Sequence, residues 1–469
     1  MATQSSNGNT RTEKDSMGEI DVPAEALWRA QTERARQNFQ LSALRFPARS
    51  IAALAHIKAA AAQANADLEL LTKEQAQAIT AAANSFSRTP DLQHFPLDIF
   101  QTGSGTSTNM NMNEVLAETV RRNKGPNVHP NDHVNCSQSS NDVIPTTIQV
   151  SCVIALQELW LPAIMHLQQT IEAKAQSLAD VVKTGRTHLM DAMPITMAQE
   201  LRTWSTQLHH CQAHVNEVCE RLRALPQGGT AVGSGINAPR EFRSKFCEHL
   251  SARTKQQFYP ADNPFAGIAG QELSLQLAGA LNSCGAVLLK ISNDLRWMNS
   301  GPLAGLGEIS LTALQPGSSI MPGKVNPVIP EAVAMVAAHL AGSYQTIATA
   351  AQQGNFQLNV MLPLIAYHLI ESIELSANAM RALADQAIAD FSVNHERLEE
   401  ALARNPILVT ALNSVIGYNE AAKIAKRAYQ EQRPVIDVAE EMTDLSRTEL
   451  EQLLDPKKLT RGGIPGASD

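Results

Sequence analysis

From Pro145 the chain reads PTTIQVSCVIALQELWLPAIMHLQQTIEAKAQSLADVV, and apolar residues recur there at helical spacing over nearly forty positions. At 1.5 Å per residue this predicts a rod of roughly 55 Å, with Pro145 near its first turn and Pro162 as a kink. Comparable helical segments are predicted at 194–224, 270–298, 329–352 and 363–390. Helices of this length each bury a face only by lying side by side, so the middle of the chain reads as an elongated bundle. Stretches that are apolar all round, such as LSLQLAGALNSCGAVLLKI, demand more burial than one such bundle offers, which points to association of several copies through it.

The flanks have a different texture. Residues 1–17 are polar and are expected to be disordered. Residues 18–138 mix short helical pieces with loops rich in Gly, Asn, Pro and Thr, the long helices fill 139–395, and shorter helices from 396 to 469 mark a small third domain. A length of 469 residues accommodates three units at about 150 residues each. Aromatics are only 4% of the chain, and no hairpin signature or βαβ alternation is visible, so a mainly α fold is expected.

Composition also narrows the partners. A net charge of -8 argues against a nucleic-acid binder, which needs a basic face to displace counterions. Neither an uninterrupted apolar run of about 18 residues nor a signal-peptide core is seen, so no membrane partner is expected and the cytoplasm is the simplest compartment. Six scattered cysteines without a C-x-x-C pair suggest buried thiols and no metal cluster. Gly233 to Ala238 imitates a dinucleotide fingerprint but follows a helix where a strand is required. Gly317 to Lys324 imitates a phosphate loop with the wrong spacing, and His210 with His214 lacks a third zinc ligand.

Three clusters rich in Ser, Thr, Gly and Asn lie just before predicted helices: Gly103-Ser104-Gly105-Thr106, Ser139-Ser140-Asn141, and Gly317-Ser318-Ser319 through Lys324-Val325-Asn326. Helix starts carry unpaired N–H groups and partial positive charge, so each cluster is a potential anion site, although caps and turns use the same residues. Three together, one with a lysine, favour a pocket for a small, multiply anionic ligand. A fourth segment, Lys183 to His188, reads as a loop between two long helices and offers Thr187 and His188, the latter able to transfer protons near neutral pH.

The segment Gly317-Ser318-Ser319-Ile320-Met321-Pro322-Gly323-Lys324-Val325-Asn326-Pro327 resembles the signature loop of the fumarase/aspartase superfamily, and the resemblance runs from Met17-Gly18 to about Ala439. Ala30-Gln31-Thr32, Gln101 to Thr106, Asn109 to Glu114, Ser139 to Asp142 and Gly229 to Gly233 are similar to class II fumarate hydratases more than to aspartate ammonia-lyases. Two departures stand out: Val328-Ile329-Pro330 is more aspartase-like, and Arg29 replaces a usual glycine.

The resemblance implies a three-domain fumarase/aspartase fold whose central bundle forms the core of a homotetramer, with each active site drawn from three chains. It implies reversible hydration of fumarate to L-malate through an aci-carboxylate, without metal or organic cofactor. Ser318 would be the base at carbon, His188 with Thr187 would handle the water, and Glu331 would hold the imidazole. Ser104, Gly105, Thr106, Ser139, Ser140, Asn141, Ser319, Lys324, Val325 and Asn326 would bind the substrate carboxylates. His129, Pro130, Asn131 and Asp132 match the family's second dicarboxylate site, or form only a capped turn. An ammonia-lyase acting on aspartate, a hydratase of a related C4 or C5 dicarboxylate, and an inactive structural relative are the alternatives.

Overall fold

The computed structural model describes residues 9–464. The long apolar segments are helices: Ser140–Ala155, continued through a π turn at Leu156–Trp160 into Leu161–Ser177, then Met197–Arg221, Glu272–Met298, Val328–Ala351 and Leu362–Leu383. The first starts five residues before Pro145, because Ser139 and Asp142 close a capping box around its first turn. Pro162 does not break the rod. It has no N–H to give, and the π turn absorbs the mismatch, with the Leu161 N–H reaching back five residues to the Leu156 carbonyl. By length and composition Ser140–Ser177 and Glu272–Met298 are apolar enough to cross a bilayer, but 61% and 50% of their apolar windows are buried within the protein.

By its internal contacts the chain divides into two compact units, and each long helix contributes to both. The first unit comprises residues up to Pro162, Cys211–Gly285 and Ala337–Ala377. Its centre is the helix Ala48–Asp67, whose buried Ile51, Leu54, Ile57 and neighbouring alanines pack against Lys73–Arg88, Ser140–Ala155 and Phe242–Thr254. The second unit comprises Ala163–His210, Ala286–Val336 and the chain from Asn378 onward. Within it the shorter C-terminal helices enclose a core of Leu408, Leu412, Ile424, Val438 and Leu450. Five of the six cysteines are buried, Cys136 is half-buried, and all six are free thiols.

Two expectations are corrected here. Disorder was expected through residue 17, of which residues 1–8 lie outside the described residues. Thr10–Asp15 is a strand, antiparallel to Gly18–Pro23. It is charged where most strands are apolar, and what fixes it is a side chain: the Arg11 guanidinium donates to the carbonyls of Pro23, Ala24, Ala26 and Trp28 at 2.6–3.1 Å. The segment from Lys183 to His188 is likewise no loop. Val182–Thr187 pairs antiparallel with Met190–Thr196, with a bulge between Thr184 and Arg186.

Replacing Arg11 with Ala should take a donor from four carbonyls, of which Pro23, Ala24 and Ala26 keep one from the Ala26 N–H or Arg122, and release this hairpin at a cost of about 1–3 kcal/mol. Amide exchange should rise selectively between residues 10 and 23, and unchanged protection there would remove Arg11 as the anchor.

Candidate active site

Two of the polar clusters meet in the first unit. The helix Thr106–Arg122 begins after Gly105, which has φ 73° and no room for a side chain, since a Cβ would lie 2.9 Å from Ile144. Gly103 is as constrained: a Cβ there would run into the Val360 carbonyl, and its own carbonyl accepts the Leu362 N–H. These glycines set Ser104 and Thr106 side by side, with hydroxyls 2.8 Å apart. At the second cluster the Ser139 hydroxyl accepts the Asn141 N–H, and Asp142 accepts the Ser139 N–H at 2.9 Å. Asn109, on the helix that Thr106 starts, donates to the Ser140 hydroxyl at 3.0 Å, and Asn141 donates to the Ala231 carbonyl at 2.8 Å. The segments 101–109, 139–142 and 228–231 are thus one hydrogen-bonded patch of hydroxyls and amides.

Behind that patch lie two buried charges that sequence reasoning did not single out as functional. Lys58 donates to Asn135 and Gln138 at 3.1 and 3.0 Å. The same Asn135 oxygen accepts from Asn109 and Asn113. Asp142 accepts three N–H bonds, from Ser139, Gly228 and Thr230, at 2.8–2.9 Å. Burial pushes the Lys58 ammonium down to about 7 despite the nearby Asp142 carboxylate. Burial pushes the Asp142 carboxyl up to about 6 against its N–H donors and Lys58. A lysine set into the alanine-rich run HIKAAAAQ is the sequence signal that could have found Lys58.

The candidates of the 183–188 and 317–331 segments lie in the second unit. Thr187 and His188 are exposed at the tip of the Val182–Thr187 and Met190–Thr196 hairpin. His188 and Leu189 occupy its two turn positions with φ 56° and 60°. Such a turn suits Asn-Gly, and side chains there cost on the order of 1 kcal/mol each. The 317–327 loop folds on itself: the Gly317 N–H donates to the Lys324 carbonyl at 2.9 Å, and Asn326 donates to the Gly317 carbonyl at 2.6 Å. Within it the Ser318 hydroxyl oxygen accepts N–H bonds from Ile320 and Met321 at 3.2 and 3.0 Å. Ser318 and Lys324 line one cavity of about 400 Å³. Lys324, Val325, Asn326 and Glu331 line an adjoining one of about 830 Å³, together with Arg296, which sequence reasoning missed. Ser319 is exposed beside them. Among the described residues His188 makes no hydrogen bond or ion pair, so within one chain Glu331 does not hold it.

His129, Pro130 and Asn131 line a separate cavity of about 260 Å³ in the first unit, shared with Glu13, Asp15, Arg29 and Glu114. The His129 ring nitrogen accepts the Asp132 N–H at 3.3 Å, which caps the turn Pro130–Val134. Arg29 reaches the buried Glu118 at 3.2 Å, a role that a glycine at this position has no side chain to fill.

Residues 18–342 match the lyase family, and residues 408–461 match the fumarase C C-terminus family. The chain is 57% identical to a Pseudomonas aeruginosa protein named fumarate hydratase class II 2, over 97% of this chain and all of that protein. It is 55% identical to a Xylella fastidiosa fumarate hydratase class II, over 99% and 98% of the two chains. The class II fumarase of Schistosoma mansoni superposes with a TM-score of 0.93 at 36% identity, covering 96% of this chain and 99% of that one. The chain therefore belongs to the lyase family and, within it, to the class II fumarate hydratases.

Lys58 supplies a pH test of the buried patch. Its folded-state pKa of about 7 lies below the usual lysine value of 10.5, so between these the unfolded chain binds more protons. Stability relative to a Lys58→Met variant should therefore rise with pH from 7 to 9, by up to about 3 kcal/mol. Urea unfolding at several pH values measures this, and a flat difference contradicts it.

Proposed function

We propose that this class II fumarate hydratase interconverts fumarate and L-malate with Ser318 as the base at the carbon beside a carboxylate and His188, with Thr187, handling water at the neighbouring carbon. The observation that carries this reading is the Ser318 hydroxyl oxygen with two backbone N–H donors aimed at it. A serine hydroxyl is a poor base at neutral pH, and such donors stabilise the alkoxide it must become. Taking a proton from carbon places a second negative charge on the adjacent carboxylate. Lys324 and Asn326 sit in the same loop to meet that charge, and each such donor is worth roughly 3–4 kcal/mol.

Ser104, Gly105, Thr106, Ser139, Ser140 and Asn141, with Ser319 and Val325, are assigned to the two carboxylates. Glu331 is assigned to the His188 imidazole, as an orienter holds a base. Because the two are unpaired with each other within one chain among the described residues, we assign their meeting to different copies in a homotetramer whose sites draw on three chains. Apolar side chains left exposed on the second unit support association: Leu289 on Glu272–Met298 is 37% exposed, Trp297 51%, and Met335 on Val328–Ala351 69%. A second dicarboxylate site at His129, Pro130, Asn131 and Asp132, and a cytoplasmic location, belong to the same proposal, which needs neither metal nor organic cofactor.

Ultraviolet absorbance of fumarate, followed with purified protein given malate and then aspartate, tests the reaction. Signal with malate is expected; signal with aspartate alone would overturn the hydratase reading. Ser318→Ala should lose roughly a hundredfold or more in kcat while remaining tetrameric. Turnover near that of the parent would take Ser318 out of the base role.

A further inference from the structure

We infer that Lys183, Arg186 and Glu308 are positioning residues for His188, an ion cluster along the strand that leads to the hairpin tip carrying the imidazole. This rests on the reading that His188 acts in the reaction. Glu308 bridges the two cations: its Oε2 lies 2.7 Å from Lys183 Nζ, and its Oε1 accepts from Arg186 at 2.6 Å. Lys183 also meets Glu200 at 2.5 Å, and Glu200 stands on the helix that follows the hairpin. The Lys183 and Glu308 side chains are 2% and 4% exposed, whereas Arg186 is 18% exposed.

The geometry gives this cluster a task beyond burial. Lys183 and Arg186 both belong to Val182–Thr187, the strand that leads straight into Thr187 and His188. They flank the bulge at Thr184–Arg186, where the register of the hairpin changes and the direction of its tip is set. Glu308 is itself clamped: its N–H donates to the Met298 carbonyl at 2.7 Å, and its carbonyl accepts the Asn394 N–H at 2.9 Å. The strand is therefore tied to a fixed point at two side chains on either side of its irregularity.

At the tip the tie has something to resist. His188 and Leu189 both hold left-handed backbone, and neither is glycine. His188 is exposed and, among the described residues, unpaired, so its own contacts do not hold the turn. Pinning the strands beneath it gives a tip in that state one direction before any other surface meets it. Buried ion pairs suit this task, because their geometry is specific and a broken one is costly.

A double-mutant cycle on turnover separates positioning from general stability. Arg186→Met and Glu308→Gln are each made in the parent and in His188→Asn, a replacement that tolerates the left-handed turn. In the parent, each should lower kcat for fumarate hydration about tenfold or more, with KM within about threefold. In His188→Asn the same changes should cost less than about twofold. Equal factors of loss in both backgrounds, or no loss in either, would overturn the inference. Parent-like turnover in His188→Asn would overturn the role of His188 and this inference with it, which distinguishes the two failures. Arg186→Met leaves the Lys183–Glu308 pair in place and carries the test where Glu308→Gln does not assemble. If neither variant assembles, the cluster is an element of folding and the inference is wrong.

Discussion

The hydroxyl of Ser318 accepts two N–H bonds from its own loop, and that pairing depends on the loop holding its shape. Gly317 makes this possible. A Cβ there would run into the Lys324 carbonyl, and without one the Gly317 N–H closes onto that same carbonyl while Asn326 closes onto the Gly317 oxygen. Gly323, with φ 81°, turns the chain back to bring Lys324 round. Donors fixed before charge develops need no reorganisation when it does, which is where electrostatic stabilisation gains most.

The first unit solves a different electrostatic problem. The front of the patch offers neutral groups, the hydroxyls of Ser104, Thr106, Ser139 and Ser140 and the amide of Asn141. The charges stand behind. Lys58 and Asp142 are fully buried, which is costly unless each is hydrogen-bonded. Asn135 and Gln138 receive the ammonium, and three N–H groups receive the carboxylate. Those bonds run to the segments that bear the hydroxyls, so the buried charges fix where the neutral donors point.

How much of this could be read from the sequence depended on the range of the interactions. The long helices were legible within a few residues, because their apolar periodicity is local and strong: 194–224 and 363–390 were expected where Met197–Arg221 and Leu362–Leu383 stand. The three clusters were legible as turns and helix starts, since capping residues and glycines crowd there, and their role in binding stays part of the proposal. The Lys183–His188 hairpin was not. Its turn carries His-Leu where Asn-Gly would announce it, and Pro194 sits inside its second strand. The Thr10–Asp15 strand was missed for a related reason, its stability coming from a guanidinium that reaches carbonyls twelve to seventeen residues away. Lys58 and Glu308 have partners 77 and more than a hundred residues distant, and no local pattern encodes those meetings.

The exposed hairpin tip is the step that ties these observations to the proposed assembly. Leu189 and Met190 are 62% and 69% exposed beside His188, so the tip carries both an unpartnered imidazole and uncovered apolar surface. A free tip of this composition gains nothing from its left-handed turn, because solvent would accept His188 in any rotamer. The turn becomes useful once another surface meets it: the apolar pair then supplies the burial, and the imidazole enters a site already shaped. In the proposed tetramer the strain at residues 188 and 189 would belong to an interface between copies, and the same contact would bury Leu189 and Met190 and give His188 its partner.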